Sequence, residues 1–96
     1  MVYYDKRDHK LVEFEKSDNK NKMYYAVLEN KTTHKRVKVP FGSKFHMNYQ
    51  DLTGLNKYPH LIHGDDERRR RYRARHKVYL REGYYSPSHF SFYFLW

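Results

Sequence analysis

A chain of 96 residues without an internal repeat carries apolar side chains for one core only, because two smaller cores could not each bury enough surface to hold together. The absence of cysteine excludes disulfides, thiolate zinc sites and thiol chemistry. A formal net charge of +9 points to an anionic partner, whether nucleic acid, anionic lipid or an acidic protein surface, without choosing among them.

Only 39% of the residues are apolar while 32% are charged, so burial has to come largely from eleven Tyr, six Phe and Trp96. A buried tyrosine hydroxyl needs a partner, and a core of this kind suits a thin fold in which part of the aromatic surface meets another molecule. Residues 1–10 lack the apolar stretch of a signal peptide, and the longest apolar run, residues 92–96, is too short to cross a bilayer. The expectation is a soluble chain with no membrane span, made in the cytosol.

In chain order, residues 1–42 read as an antiparallel β-hairpin or meander. Val12 and Phe14 alternate as in an edge strand, residues 18–21 are turn-like, and residues 23–28 and 35–39 form two strands joined by residues 29–34. Pro40 cannot donate to a ladder and Gly42 permits unusual angles, so the sheet is expected to stop near residues 40–42. Residues 43–64 read as a structured loop with one helical turn near residues 49–52, broken by Gly54 and Pro59. A basic helix occupies the segment 65–81, running from about 66 to 80: Gly64 closes the loop, Asp65 or Asp66 caps, Glu67 complements the dipole, and Gly83 terminates. Ser86-Pro87 reads as an N-cap with proline in the first turn. The aromatic segment 86–96 alternates like a strand at Phe90, Phe92, Phe94 and Trp96, but the Ser-Pro start favours a helix that packs Phe90, Phe94 and Trp96 onto the core. The fold class is therefore α+β.

Over residues 67–81 seven Arg and one Lys stand against one Glu, a local +7 out of the total +9. The 3.6-residue period puts Arg69, Arg70, Arg73 and Lys77 on one face and Tyr72, His76 and Tyr79 on another, so one face should dock on the domain while the other meets a partner. Arg68 and Arg81 extend the basic set. Arginine suits phosphate because its planar guanidinium gives paired hydrogen bonds and is weakly hydrated, and such contacts are sequence-independent and salt-sensitive. The same residues also fit an acidic protein surface, or a solvated face paired internally with Asp5, Asp8 and Asp51.

His60, His63 and His76 would approach one another if the helix folded back over the loop, with Asp65 or Asp66 completing a zinc site. Without cysteine or finger spacing, the three read more simply as histidines bonded to carboxylates and backbone around the helix start. No nucleophile with a base, no paired carboxylates and no glycine-rich phosphate loop has the required spacing. Asp51, Asp65, Asp66 and Glu67 are available to a metal nuclease in principle, yet the last three are better explained as helix-start residues.

Several linked motifs occur in order: Phe41-Gly42-Ser43; Tyr49-Gln50-Asp51-Leu52-Thr53-Gly54-Leu55; Tyr58-Pro59-His60-Leu61-Ile62-His63-Gly64-Asp65; Arg68-Arg69 with Tyr72 and Arg75-His76; and Ser86-Pro87 with Phe90-Ser91 and Leu95-Trp96. Together they resemble small uncharacterised proteins of nucleocytoplasmic large DNA viruses, from Val39 onward, with Gly64 a mild departure from the pattern. The resemblance implies a viral origin and one globular unit, and it brings no activity or catalytic residue. Such viruses package long DNA inside shells with many small accessory proteins, so a basic, aromatic, cysteine-free domain fits a minor capsid or internal virion protein by analogy. The expectation is a non-enzymatic structural component, located in the virion and, during assembly, in the host cytoplasm or virus factory. Its expected partners are viral structural proteins and nucleic acid, DNA bound without sequence specificity, with no cofactor or small-molecule substrate. The alternative is a nucleic-acid-binding accessory protein acting through the Arg-rich helix.

Overall fold

The structure, a computed structural model, describes residues 2–96. A short strand β1 (Tyr4–Asp5) precedes an antiparallel meander of β2 (His9–Lys16), β3 (Lys22–Asn30) and β4 (Arg36–Ser43), in spatial order β2-β3-β4. The central strand β3 owes its position to its composition, since Met23, Tyr24, Ala26, Val27 and Leu28 are all buried. Register assembles the core face row by row: Leu11 and Val37 flank Leu28, Phe14 and Val39 flank Ala26, and Phe41 lies opposite Tyr24. Leu11 and Phe14 are an odd number of residues apart, which on a regular strand would put them on opposite faces. A bulge between Leu11 and Glu13 corrects this, leaving Val12 as the extra residue. On the other face Val27 is flanked by Glu13 and Lys38, and Lys38 pairs with Glu15 at 2.8 Å and Arg36 with Glu29 at 3.1 Å.

The sheet does not stop at residues 40–42 as expected; β4 runs through Pro40 and Gly42 to Ser43. Because β4 is an edge strand, half of its N–H groups point away from the ladder, and proline is tolerated there. Gly42 is required for a different reason. Its φ is +76°, and a Cβ at this point would lie 2.9 Å from Leu95 Cδ1 and 3.2 Å from Met23 Sδ, where the C-terminal segment presses on the sheet.

That segment is helical. Gly83, at φ +82°, turns the chain into β5 (Tyr84–Tyr85), which pairs antiparallel with β1. Ser86 then caps α2 (Pro87–Phe90), its Oγ accepting from the His89 N–H at 3.2 Å, with Pro87 in the first turn. The helix continues as a π-helical stretch, Ser91–Leu95. The widened spacing lays both Phe90 and Leu95, fully buried, over the sheet. The Phe14 ring meets Phe41, Phe90 and Phe94 edge-on at centroid distances of 5.7, 6.2 and 4.7 Å. This is the aromatic packing of Phe90, Phe94 and Trp96 onto the core that the sequence pattern favours.

The loop after β4 has no helical turn near residues 49–52; its one helical turn is a 3-10 turn, Pro59–Leu61. Instead, the Tyr49 and Gln50 N–H groups donate to Leu95 O, and Leu52 N–H to Phe94 O, satisfying carbonyls that the π-helical stretch leaves open. Within the loop, Tyr24 finds the partners its buried hydroxyl needs: it donates to Asp51 Oδ2 at 2.5 Å and accepts from the Lys57 N–H at 3.1 Å. Burial, then the bond to Asp51, raises the pKa of this phenol, so it stays protonated.

Candidate functional site

The basic helix starts where the capping residues place it. Asp65 is the N-cap of α1 (Asp66–His76), its Oδ1 accepting from the Glu67 and Arg68 N–H groups at 3.0 and 3.1 Å. It ends earlier than expected: the α-helix stops at His76 and tightens into a 3-10 turn, Lys77–Tyr79, rather than continuing to residue 80. Of its eleven residues only Tyr72 and Ala74 are apolar, so a hydrophobic stripe cannot hold it to the domain.

Stacking and arginine hold it instead. The Tyr72 ring lies flat on Trp96, centroids 4.1 Å apart and 4° from parallel, and His76 stacks on the other side at 3.9 Å and 7°. Arg69 donates through Nε to the Trp96 main-chain oxygen at 2.7 Å, with its guanidinium 4.9 Å from the Tyr49 ring centre. Arg73 donates through Nη1 to Phe92 O at 3.3 Å and sits 4.1 Å over the Phe92 ring. These acceptors are main-chain oxygens in the last turns of the C-terminal segment, the negative end of its dipole. The two arginines thus complete what Tyr49, Gln50 and Leu52 begin: every carbonyl named in the final turns has a donor.

Arg69 and Arg73 therefore do not belong to the outward face on which the helical period groups them with Arg70 and Lys77. Both are half-buried, and with Tyr72 and His76 they form the docking stripe. The exposed cations of α1 are Arg68, Arg70, Arg71 and Arg75, followed by Lys77 in the 3-10 turn. Their compensation is incomplete. Glu67 is shared, taking Arg70 at 2.5 Å and Arg71 at 3.2 Å, and the bond to Arg70 holds its carboxyl below the usual range. Arg68 reaches Asp65 only at 3.9 Å. Asp66 accepts from the Tyr49 hydroxyl at 2.7 Å. Among the described residues, no ion pair engages Arg75, Lys77 or Arg81. Arg81 lies apart from this face, its guanidinium over Tyr84 and Tyr3 at 4.5 and 5.5 Å beside the β1-β5 ribbon.

Of the aromatic residues singled out in the sequence, Phe90 and Trp96 are in the core, Phe94 and Tyr72 pack against it, and Tyr79 is exposed, its ring edge-on to His76 at 5.8 Å. The histidines do not form a metal cluster. His60 is exposed beside Tyr58, His76 is stacked on Tyr72, and among the described residues no group of three or more His, Cys, Asp or Glu is placed to hold a metal ion. His63 has a specific local role. Its Nδ1 accepts from the Asp65 N–H at 2.8 Å, fixing the neutral tautomer with the proton on Nε2, and burial followed by the nearby Arg68 charge depresses its pKa. Its ring lies 5.1 Å from Trp96, and the Nε2 is buried without a hydrogen-bond partner.

Beside the helix the loop following β4 leaves a cleft of about 690 Å³, with Trp96, Tyr72 and His76 along one wall. Phe45 and Met47, both exposed, also line it, and Lys22, Arg68 and Arg75 supply positive charge. A second depression of about 540 Å³ runs over α1 and shares Arg68, Arg75 and Trp96 with the first. Among the described residues, no Asp or Glu lines either. Arg71, Arg75, Lys22 and Phe45 were not among the site residues expected from the sequence. The spacing of Arg68, Tyr72 and Arg75, four and three residues apart, was the available signal, since it puts two arginines about 10 Å apart along the axis on either side of one ring.

Comparison of the chain with protein-family models, with curated proteins and with solved structures finds no match. Among the described residues no helix is long and apolar enough to cross a membrane.

Proposed function

We propose that the protein is a non-enzymatic structural component of a large DNA virus particle that grips nucleic acid by its phosphate backbone through the outer face of α1. The observation that carries this reading is the division of labour among the arginines. Arg69 and Arg73 fasten the helix to the C-terminal segment, and Arg68, Arg70, Arg71 and Arg75 are left on the exposed surface with too few carboxylates to neutralise them. A helix held rigidly on one side and studded with guanidinium groups on the other presents paired donors to phosphate without reading base sequence. The viral setting rests on the resemblance of residues 39–96 to small proteins of large DNA viruses. Because Phe90, Phe94 and Trp96 are occupied in the core, contacts with neighbouring virion proteins fall to exposed side chains such as Tyr79, Val78 and Tyr93.

Two measurements test the proposal. Fluorescence anisotropy with a labelled DNA duplex should show affinity falling roughly 150- to 500-fold as salt rises from about 50 to 200 mM, as expected when about four or five phosphates are neutralised in the complex. A flat response, or no binding at the lower salt, rules out the phosphate contact. Quantitative mass spectrometry of purified particles should find the protein at structural stoichiometry, and its absence removes the virion assignment.

A further inference from the structure

We infer that the cleft between Phe45 and α1 receives an unstacked base of single-stranded nucleic acid, so that the protein prefers single strands to duplex. The inference rests on the phosphate-binding reading above and narrows its ligand. Charge and shape converge on this occupant. Arg68 and Arg75 line both the cleft and the depression over α1, so a backbone tracking the outer arginines passes the mouth of the cleft. Lys22 adds a third cation from the sheet side, and among the described residues no Asp or Glu lines the cavity. The cleft's volume falls within the range of about 300–1,000 Å³ typical of small-ligand sites, sufficient for a base and its sugar.

The rim offers a surface on which a base can stack. Phe45 is 73% exposed and, among the described residues, makes none of the ring contacts that knit the other phenylalanines together. An isolated ring held in water beside three cations is the arrangement by which single strands are bound, phosphates on the basic groups and a base on the aromatic face. Trp96, Tyr72 and His76, which also line the cleft, are already occupied in a stack centred on Tyr72. Duplex DNA keeps its bases paired and stacked, so it reaches the outer arginines but not the cleft.

The test compares a labelled oligothymidylate with a blunt duplex of the same length at matched salt, using the full chain and its Phe45→Ala variant. Since Phe45 is exposed, the variant should keep the wild-type circular dichroism spectrum and melting temperature. The single strand should bind about tenfold tighter than the duplex, and Phe45→Ala should remove about tenfold from the single strand while leaving the duplex unchanged. Fluorescence of Trp96, the one tryptophan, should change on adding the single strand and not the duplex. Equal affinities with no effect of Phe45→Ala, while both ligands remain salt-sensitive, would overturn the cleft assignment and leave the outer-face reading standing. Failure of both oligonucleotides to bind at low salt, with binding to polyglutamate instead, would overturn both and identify an acidic protein surface as the partner.

Discussion

Replacing Arg69 and Arg73 by alanine should unfold the protein more readily, although both belong to a run of arginines that looks like a solvated basic face. Each donates to a main-chain oxygen of the C-terminal segment, Arg69 at 2.7 Å and Arg73 at 3.3 Å, and each covers an aromatic ring. A hydrogen bond from a charged donor contributes ~1.5–3 kcal/mol and a cation–π contact ~0.5–1 kcal/mol, so Arg69→Ala should cost about 2.5 kcal/mol. The longer bond of Arg73 makes its loss smaller, about 1.5 kcal/mol. The two serve the same segment and need not add fully, which puts the double variant at ~3–4 kcal/mol. That is a large part of the ~5–15 kcal/mol available to a domain of this size, and at ~4–8 °C per kcal/mol the melting temperature should fall by roughly 15–30 °C. Thermal and urea unfolding followed by circular dichroism measure this. Because Phe92 O is a neutral peptide carbonyl, the loss caused by removing Arg73 should persist in high salt, where surface ion pairs are screened. A double variant that melts within a few degrees of the wild type, judged against the expected ~15–30 °C, would refute the inward placement of these arginines.

Three other perturbations have definite outcomes. Gly42→Ala puts a Cβ against Leu95 and Met23 at a left-handed φ and should lower stability by about 2 kcal/mol or more in urea denaturation, with the loss largest of any glycine-to-alanine change in the chain. Tyr24→Phe leaves the Asp51 carboxylate and the Lys57 N–H without their shared partner and should cost ~1–3 kcal/mol; an unchanged urea midpoint would show the loop is not anchored there. Acid should weaken the fold well before the carboxylates titrate. His89 is held down at about 4 by burial and then by Lys6, and His63 and His76 are depressed in the same direction, so the unfolded chain binds protons more readily than the folded one. Stability should therefore drop as pH falls from the ordinary histidine value of 6.5 toward 4, and His89→Gln should flatten the upper part of that window, above the 4.5 at which Glu15 and Glu29 begin to matter. A urea midpoint that is flat over this window would contradict the neutral state of these half-buried rings.

The local signals that could be read in the sequence are those carried by residues whose chemistry acts on their own backbone. Asp65 before an all-polar run, and Ser86 before Pro87, fix helix starts through caps that involve only three or four neighbouring residues. The β-prone run through Leu28 likewise yields the meander and the α+β class, although Val12, expected to alternate with Phe14, is the bulged residue and Leu11 takes the core position. What escaped depends on distant partners. β4 continues through Pro40 because it happens to be an edge, and the β1-β5 ribbon pairs residues from opposite ends of the chain. The face of α1 that docks was hidden for a related reason: with a single ring at Tyr72 there is no apolar stripe to mark it, and the arginines that cap the C-terminal carbonyls are chemically identical to those left outside. Arg75 and Phe45 became candidates only once the loop after β4 lay beside the helix.

Arg70, Arg71 and Arg75 are proposed to grip phosphate from the outer face of a helix that folds without them. The salt dependence of duplex binding by their triple alanine variant measures this directly. The slope of log affinity against log salt should become shallower by about 0.9 for each phosphate contact removed, with the thermal transition preserved. A slope equal to that of the wild type would contradict it.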